Sequence, residues 1–253
     1  MPHYSLPTLA MMAAVTIAKN IAKVHERMES AAKRAGRCPD DVALLAVTKT
    51  MRAAPIREAY SAGLRLFGEN RVQEFTDKFE SICDLANVEW RLIGHLQSNK
   101  AAKAAGMFTA IDTIDSLRLA ERVNAAAEKL GKILPILIEV NVGGEEAKSG
   151  VAPVSSEFEQ LLRAAPRLEA LRIRGLMTVP PIAHDPESAR PYFRMLAKVR
   201  DEIAARQLAS VSMEELSMGM SHDFEIAIEE GSTCVRVGTA IFGARPEPRH
   251  QVA

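Results

Sequence analysis

Short apolar runs recur along the chain, separated by stretches in which apolar residues return every three or four positions. The runs VALLAVTK (42–49), LRLFGEN (64–70), VEWRLIGHL (88–96), MFTAIDTID (107–115), ILPILIEVN (133–141), LRIRGLMTVP (171–180), EELSMGMS (214–221) and CVRVGTAIFG (234–243) predict strands. Helical spacing falls between them, over Pro55 to Ala62, Arg71 to Ala86, Ser98 to Ala105, Ser116 to Leu130, Pro153 to Ala165, Pro186 to Leu208 and His222 to Glu230. Ahead of the first run, LAMMAAVTIA continues into KNIAKVHERMESAAKRAG, and the two together predict one amphipathic helix over about residues 8–36.

Strands that alternate with helices, and that are apolar at nearly every position, belong to a parallel sheet covered on both faces. Eight of them in a chain of 253 residues fit a (β/α)8 TIM barrel. An open doubly wound sheet would carry a glycine-rich first turn, and neither GxGxxG nor GxxxxGK[ST] occurs. No linker rich in Pro, Gly or Ser divides the sequence. Residues 1–253 therefore read as one α/β domain, the N-terminal helix followed by a barrel over about 42–245.

Composition narrows the function more than the fold. Lys plus Arg and Asp plus Glu both total 32, so the formal net charge is zero. With no local basic run either, nucleic acid and anionic lipid are poor partners. Cys38, Cys83 and Cys234, like the six histidines, are scattered without metal-ligand or redox spacing; no metal is expected, and reduced cysteines suit a cytoplasmic protein. The run Leu9–Ala18 is well short of the ~20 residues a membrane span needs, and it lacks the context of a secretory leader.

In a barrel of this kind functional groups gather at the carboxyl ends of the strands. Those ends bring up Thr48-Lys49, Glu69-Asn70, Gly94-His95, Asp115, Asn141, Met177-Thr178, Met220-Ser221 and Arg236 with Gly238-Thr239. Strand alternation sets Ala43, Leu45, Val47 and Lys49 on one face. If that face lines the barrel, an amine crowns an apolar column, where desolvation favours the neutral form that attacks carbonyls. The same position also suits a lysine that runs its stem along the rim to water.

At the other end of the chain Ser221 meets the expected start of a helix at His222, and Gly238-Thr239 ends the last strand. Free backbone N–H groups with hydroxyls beside them make a phosphate site, although Ser221 alone would serve as a helix cap. Arg236 in an apolar strand needs a partner, either a ligand or an acid such as Glu225 or Glu69. Asn70 is placed to cap a helix or to lie against a flat ligand, and Ser98 to cap the next helix. The polar loop NVGGEEAKSGV carries Lys148, a solvated residue or a second amine near the site.

LLAVTKT, FGENRVQE, WRLIGHLQSNK, IEVNVGGEEAKSGV, IRGLMTVPP and LSMGMSHDFEIAIEEGSTCVRVGTAIFGAR, in that order, resemble the pyridoxal phosphate homeostasis family. These are single-domain barrels that bind pyridoxal 5'-phosphate (PLP) and are similar to the N-terminal barrel of alanine racemase. The likeness runs from about Val42 to Arg245. It implies an internal aldimine on Lys49, a phosphate held by Ser221, Gly238 and Thr239, Arg236 facing the pyridine nitrogen, and Asn70 and Met177 flanking the ring. The chain departs from the common pattern in VTKT, where a serine often precedes the lysine, and in His95, at a position frequently filled by proline.

Arginine at the pyridine nitrogen keeps the ring unprotonated and makes it a weak electron sink. Racemisation further needs acid–base groups on both faces of the substrate. The sequence ends at the barrel, and its tyrosines, Tyr4, Tyr60 and Tyr192, lie at no strand's carboxyl end. The expectation is a monomeric protein that binds and buffers PLP, with PLP-dependent apo-enzymes as recipients, no catalytic residue and no efficient turnover. The alternatives are a PLP-dependent racemase or decarboxylase of low activity, and a Schiff-base aldolase-type barrel enzyme.

Overall fold

A computed structural model of the chain describes residues 9–145, 149–181 and 183–243, with side chains from Thr16 onward. Eight parallel strands close into a barrel in sequence order: β1 (Ala43–Val47), β2 (Leu66–Glu69), β3 (Glu89–Leu92), β4 (Ala110–Ile114), β5 (Leu134–Glu139), β6 (Leu171–Met177), β7 (Val211–Met220) and β8 (Cys234–Val237). Closure is by β1 against β8, with Leu45 beside Arg236 and Ala46 beside Val237. This is the (β/α)8 barrel the sequence predicts, preceded by its additional helix.

Helix α1 (Leu9–Arg34) precedes the barrel. The wall is built by α2 (Ala53–Ser61), α3 (Val72–Phe79), α4 (Ala101–Met107), α5 (Leu117–Lys129), α6 (Ser156–Ala164), α7 (Arg190–Ala204) and α8 (Phe224–Glu229), with a single helical turn α9 (Thr239–Phe242) after β8. Ile17, Ile21, Val24 and Met28 are buried at helical spacing on α1. That stripe packs on α2, α8 and α9. Arg27 pairs with Glu225 and Arg34 with Glu229, while the Arg37 guanidinium donates to the carbonyls of Ile228 and Ser232, both at 2.7 Å. Among the described residues no helix is long and apolar enough to cross a membrane.

Two cores result from the alternation of strand side chains. Leu44, Ala46 and Phe67 face outward into the large core under the helices, whereas Leu45, Val47 and Cys234 pack together inside the barrel with Leu66 and Ile93. Lys49 thus extends the inward-facing series of β1, as its parity requires. Gly68 leaves the room this interior needs, since a Cβ there would stand 2.4 Å from a Leu45 methyl.

Several boundaries differ from expectation for local reasons. The last strand stops at Val237; the Gly238 carbonyl accepts the N–H groups of Ile241 and Phe242, and TAIF closes into α9. Helix α3 ends at Phe79 rather than near Ala86, because Ser81, Ile82 and Leu85 continue in three-residue turns. Helix α8 begins at Phe224, two residues late, behind a turn over 221–223. Ser98 opens a 3-10 turn and makes no side-chain cap, and Arg71, not Asn70, is the residue at the head of α3. Lys148 and Tyr4 lie outside the described residues.

Candidate functional site

At the carboxyl end of the barrel a cleft of ≈350 Å³ opens between the first and last strands, of a size for a small organic ligand. It is lined by Val47 and Lys49 from the β1 end, Asn70 after β2, Ile93 after β3, Val179 after β6, Met220, Ser221 and His222 from the β7 end, and Arg236, Gly238 and Thr239 from β8. Lys49, Asn70, Ser221, Arg236, Gly238 and Thr239 come from opposite ends of the chain, and the closure of β8 on β1 puts them together. Met177 does not join them: it is fully buried in β6, and Val179, two residues on, takes the place at the cleft. Val47, Ile93, Val179, Met220 and His222 also line the cleft without having been singled out in sequence as ligand contacts; strand parity was available for Val47 and Ile93.

The β7–α8 and β8–α9 turns are tied by one hydroxyl. Ser221 Oγ accepts the backbone N–H of Gly238 at 3.2 Å and of Ala240 at 3.3 Å, so it caps no helix of its own but gathers the amides that follow β8. Gly219 makes the preceding turn possible. Its φ is +93°, and a Cβ would stand 2.5 Å from that of Ala227, because α8 lies directly against the strand end. Asp223 holds the same turn by accepting the Met220 N–H at 2.6 Å, and burial pushes its carboxyl above the ordinary range.

Arg236 is almost wholly buried. Its guanidinium donates to Ser217 Oγ at 2.8 Å and to the Thr178 carbonyl at 2.7 Å. Neither acid proposed from sequence is its partner: Glu225 is taken by Arg27 and Glu69 by Lys78. Neutral oxygens of β7 and the β6 end fix the guanidinium while leaving its charge directed at the cleft, whose lining among the described residues includes no carboxylate.

Beneath the cleft the barrel interior is charged. Arg91 sits between Asp112, at 3.0 Å, and Glu215. With Arg236 and Glu139 this makes two cations and three carboxyls in a closed space. Glu139 Oε2 is buried without a hydrogen-bond partner, as are both carboxylate oxygens of Asp112, which however faces Arg91. Burial raises the Glu139 carboxyl to about 7, with Asp115 adding to the rise and Arg236 opposing it. A carboxyl raised on folding binds more protons folded than unfolded between its usual range and about 7, so stability falls as pH rises through that window. Glu139→Gln is accordingly expected to be more stable than the wild type near pH 8, by on the order of 2 kcal/mol. The advantage should vanish by about pH 5, as read from urea midpoints at both pH values.

A second cleft of ≈480 Å³ adjoins the first through Asn70 and is lined by Arg71, Gln73, His95, Gln97 and Lys100 among others. His95 Nδ1 lies 3.4 Å from Asp115 and 3.3 Å from Ser149 Oγ. Among the described residues no group of His, Cys, Asp and Glu is placed to hold a metal ion.

The donor set of the first cleft fits a phosphorylated aromatic aldehyde: an amine for the aldehyde, hydroxyls and turn amides for the phosphate, a guanidinium for a ring nitrogen that accepts. Comparison with known proteins agrees in kind. The profile of the family described as "Alanine racemase, N-terminal domain" matches residues 17–246. A pyridoxal phosphate homeostasis protein of Aquifex aeolicus is 45% identical over 227 residues, 90% of this chain and 97% of that protein. Among solved structures, PipY of Synechococcus elongatus with PLP bound is 37% identical with a TM-score of 0.78, covering 90% of this chain and all of that one. The alanine racemase of Streptomyces coelicolor shares the fold at 20% identity and a TM-score of 0.68, over 92% of this chain and 59% of the racemase. The chain belongs to the pyridoxal phosphate homeostasis protein family, built on the alanine racemase N-terminal barrel.

Proposed function

We propose that this chain binds PLP as a Schiff base on Lys49 and serves in the cytoplasm as a reservoir from which PLP-dependent apo-enzymes are supplied, acting as a single-domain monomer without efficient turnover. The observation that carries the reading is the convergence in one cleft of Lys49, Arg236 and the Ser221–Gly238–Thr239 turn pair. When bound, the cofactor supplies an aldehyde carbon and an electron-withdrawing ring. The chain's own groups set how far that chemistry can go. Ser221, Gly238 and Thr239 would hold the phosphate, and Asn70 and Val179 would flank the ring, with Met177 one layer behind.

Arg236 is the reason to favour storage over catalysis. A permanently charged guanidinium at the ring nitrogen, itself fixed by Ser217 and Thr178, leaves that nitrogen unprotonated and a weak electron sink. Among the described residues two-sided proton exchange also lacks a second base. Tyr60 and Tyr192 lie on α2 and α7, away from the cleft lining. His222 does line it, but at the Ser221 end, and its Nε2 donates to the His184 carbonyl at 3.1 Å. Borohydride reduction followed by peptide mapping tests the assignment. A pyridoxyl group on Lys49 is expected, label on another lysine would move the site, and amino-acid racemisation at ordinary enzymatic rates would overturn the storage role.

A further inference from the structure

We propose that Lys78 is a positioning residue for Lys49: with Glu69 and Glu74 it clamps both peptide units that flank the reactive lysine and so aims its amine into the cleft. The inference rests on Lys49 being the anchor. The Lys78 ammonium comes from α3, and only 10% of the side chain is exposed. An ammonium has three donors, and three acceptors meet it: the Thr48 carbonyl at 3.0 Å, Glu69 Oε1 at 2.9 Å and Glu74 Oε1 at 3.3 Å. Thr48 immediately precedes Lys49. On the other side, the N–H of Thr50 donates to the same Glu74 oxygen.

The clamp holds a backbone that would not adopt its shape unaided. Thr50 has φ +65°, a left-handed conformation rare for a β-branched residue, and its Oγ1 donates to the Lys49 carbonyl at 2.6 Å. Such outliers persist where the surroundings over-determine them, and they cluster at functional sites. Thr48 is held from a third direction, its N–H on the Gly68 carbonyl at 2.9 Å and its hydroxyl on Glu69. Glu69 itself is fully buried, and burial raises its carboxyl while Lys78 opposes the rise. Were Lys78 present only to neutralise Glu69, it would not need the Thr48 carbonyl, nor would Glu74 need the Thr50 amide. The base of α3 is steadied by Phe75, whose ring centroid lies 4.7 Å from Phe108 and 5.0 Å from Trp90.

The test uses the purified full chain stripped of ligand. PLP is added, borohydride traps the adduct at timed intervals, and Lys49 labelling is followed by peptide mapping; binding of pyridoxine 5'-phosphate, which has no aldehyde, is measured alongside. Lys78→Met should slow labelling of Lys49 by between about 10-fold and 10²-fold and leave the analogue's affinity unchanged, with partial recovery in Lys78→Arg. Glu74→Gln, at a half-exposed position, should slow labelling in the same direction and guards against a Lys78→Met chain that fails to fold. Wild-type labelling rates in a folded Lys78→Met, or in Glu74→Gln where that variant has to stand in, overturn the clamp. So does an equal loss of aldehyde and analogue binding, which would mark Lys78 as purely structural. Absence of label on Lys49 in the wild type overturns the anchor assignment, and the clamp with it; label on Lys49 with no effect of either substitution removes the clamp alone.

Discussion

Lys49→Ala is expected to give a folded, colourless protein that carries no borohydride-stable pyridoxyl group. The amine stands at the cleft edge, half-buried at the end of an inward-facing column of Leu45 and Val47, so its removal opens no cavity in either core and should leave the thermal midpoint near that of the wild type. The contacts proposed for the other end of the ligand stay in place, because Ser221 still holds the amides of Gly238 and Ala240. Binding should therefore persist in weakened, freely reversible form, down by at least about tenfold, the equivalent of about 1.4 kcal/mol. Absorbance of the purified protein and equilibrium dialysis against PLP measure the two halves of this prediction. Retention of a full complement of cofactor with the wild-type spectrum would remove Lys49 from its role.

The barrel was readable because its physics is repetitive. A strand buried on both faces must be apolar at nearly every position, and eight such runs survive in sequence even where, as with TAIF, a boundary is wrong. The parity of β1 carried the most information, since Leu45 and Val47 pack inside the barrel and the side chain two residues on must share their side. Parity reaches only along one strand, however. The partners of Arg236 depend on register across β6, β7 and β8, and a search by opposite charge chose Glu69 and Glu225 where a serine hydroxyl and a backbone carbonyl stand.

Lys78 escaped for a related reason. Within VQEFTDKF it is an ordinary helical lysine spaced four residues from Glu74, and nothing local shows that α3 brings it under the β1 turn. Met177 was placed at the ring by family likeness alone, whereas it is fully buried in β6 and Val179, two residues on, lines the cleft. The charged interior left a trace that reading for apolar runs passes over. Arg91, Asp112, Glu139, Glu215 and Arg236 interrupt five separate strands, each at a position that would otherwise be filled by an aliphatic side chain. A packed core does not accept five ionisable groups singly, so their recurrence at strand positions means that they meet one another.

Arg91→Met should then be the most destabilising single change at these positions. Methionine keeps much of the stem's volume, but Asp112 and Glu215 lose the one cation between them. Asp112 is 0% exposed and cannot turn to solvent, and only 12% of the Glu215 side chain is exposed. Breaking a buried pair by removing one partner costs about 3–5 kcal/mol, because an uncompensated charge is left behind. Urea unfolding near neutral pH should show a loss of that size. Adding Asp112→Asn should return part of it, since that substitution removes one of the stranded charges. The loss should also shrink in acid: burial already raises the Asp112 carboxyl and Arg91 opposes the rise, so without Arg91 Asp112 is pushed higher still and the folded state binds its proton as pH falls. An Arg91→Met chain with the wild-type midpoint would mean that Arg91 compensates no buried charge in the native protein. In that case the positive charge beneath the cleft would belong to Arg91 and Arg236 together, and the ring nitrogen proposed to face Arg236 would lie in a stronger field than its nearest guanidinium alone provides.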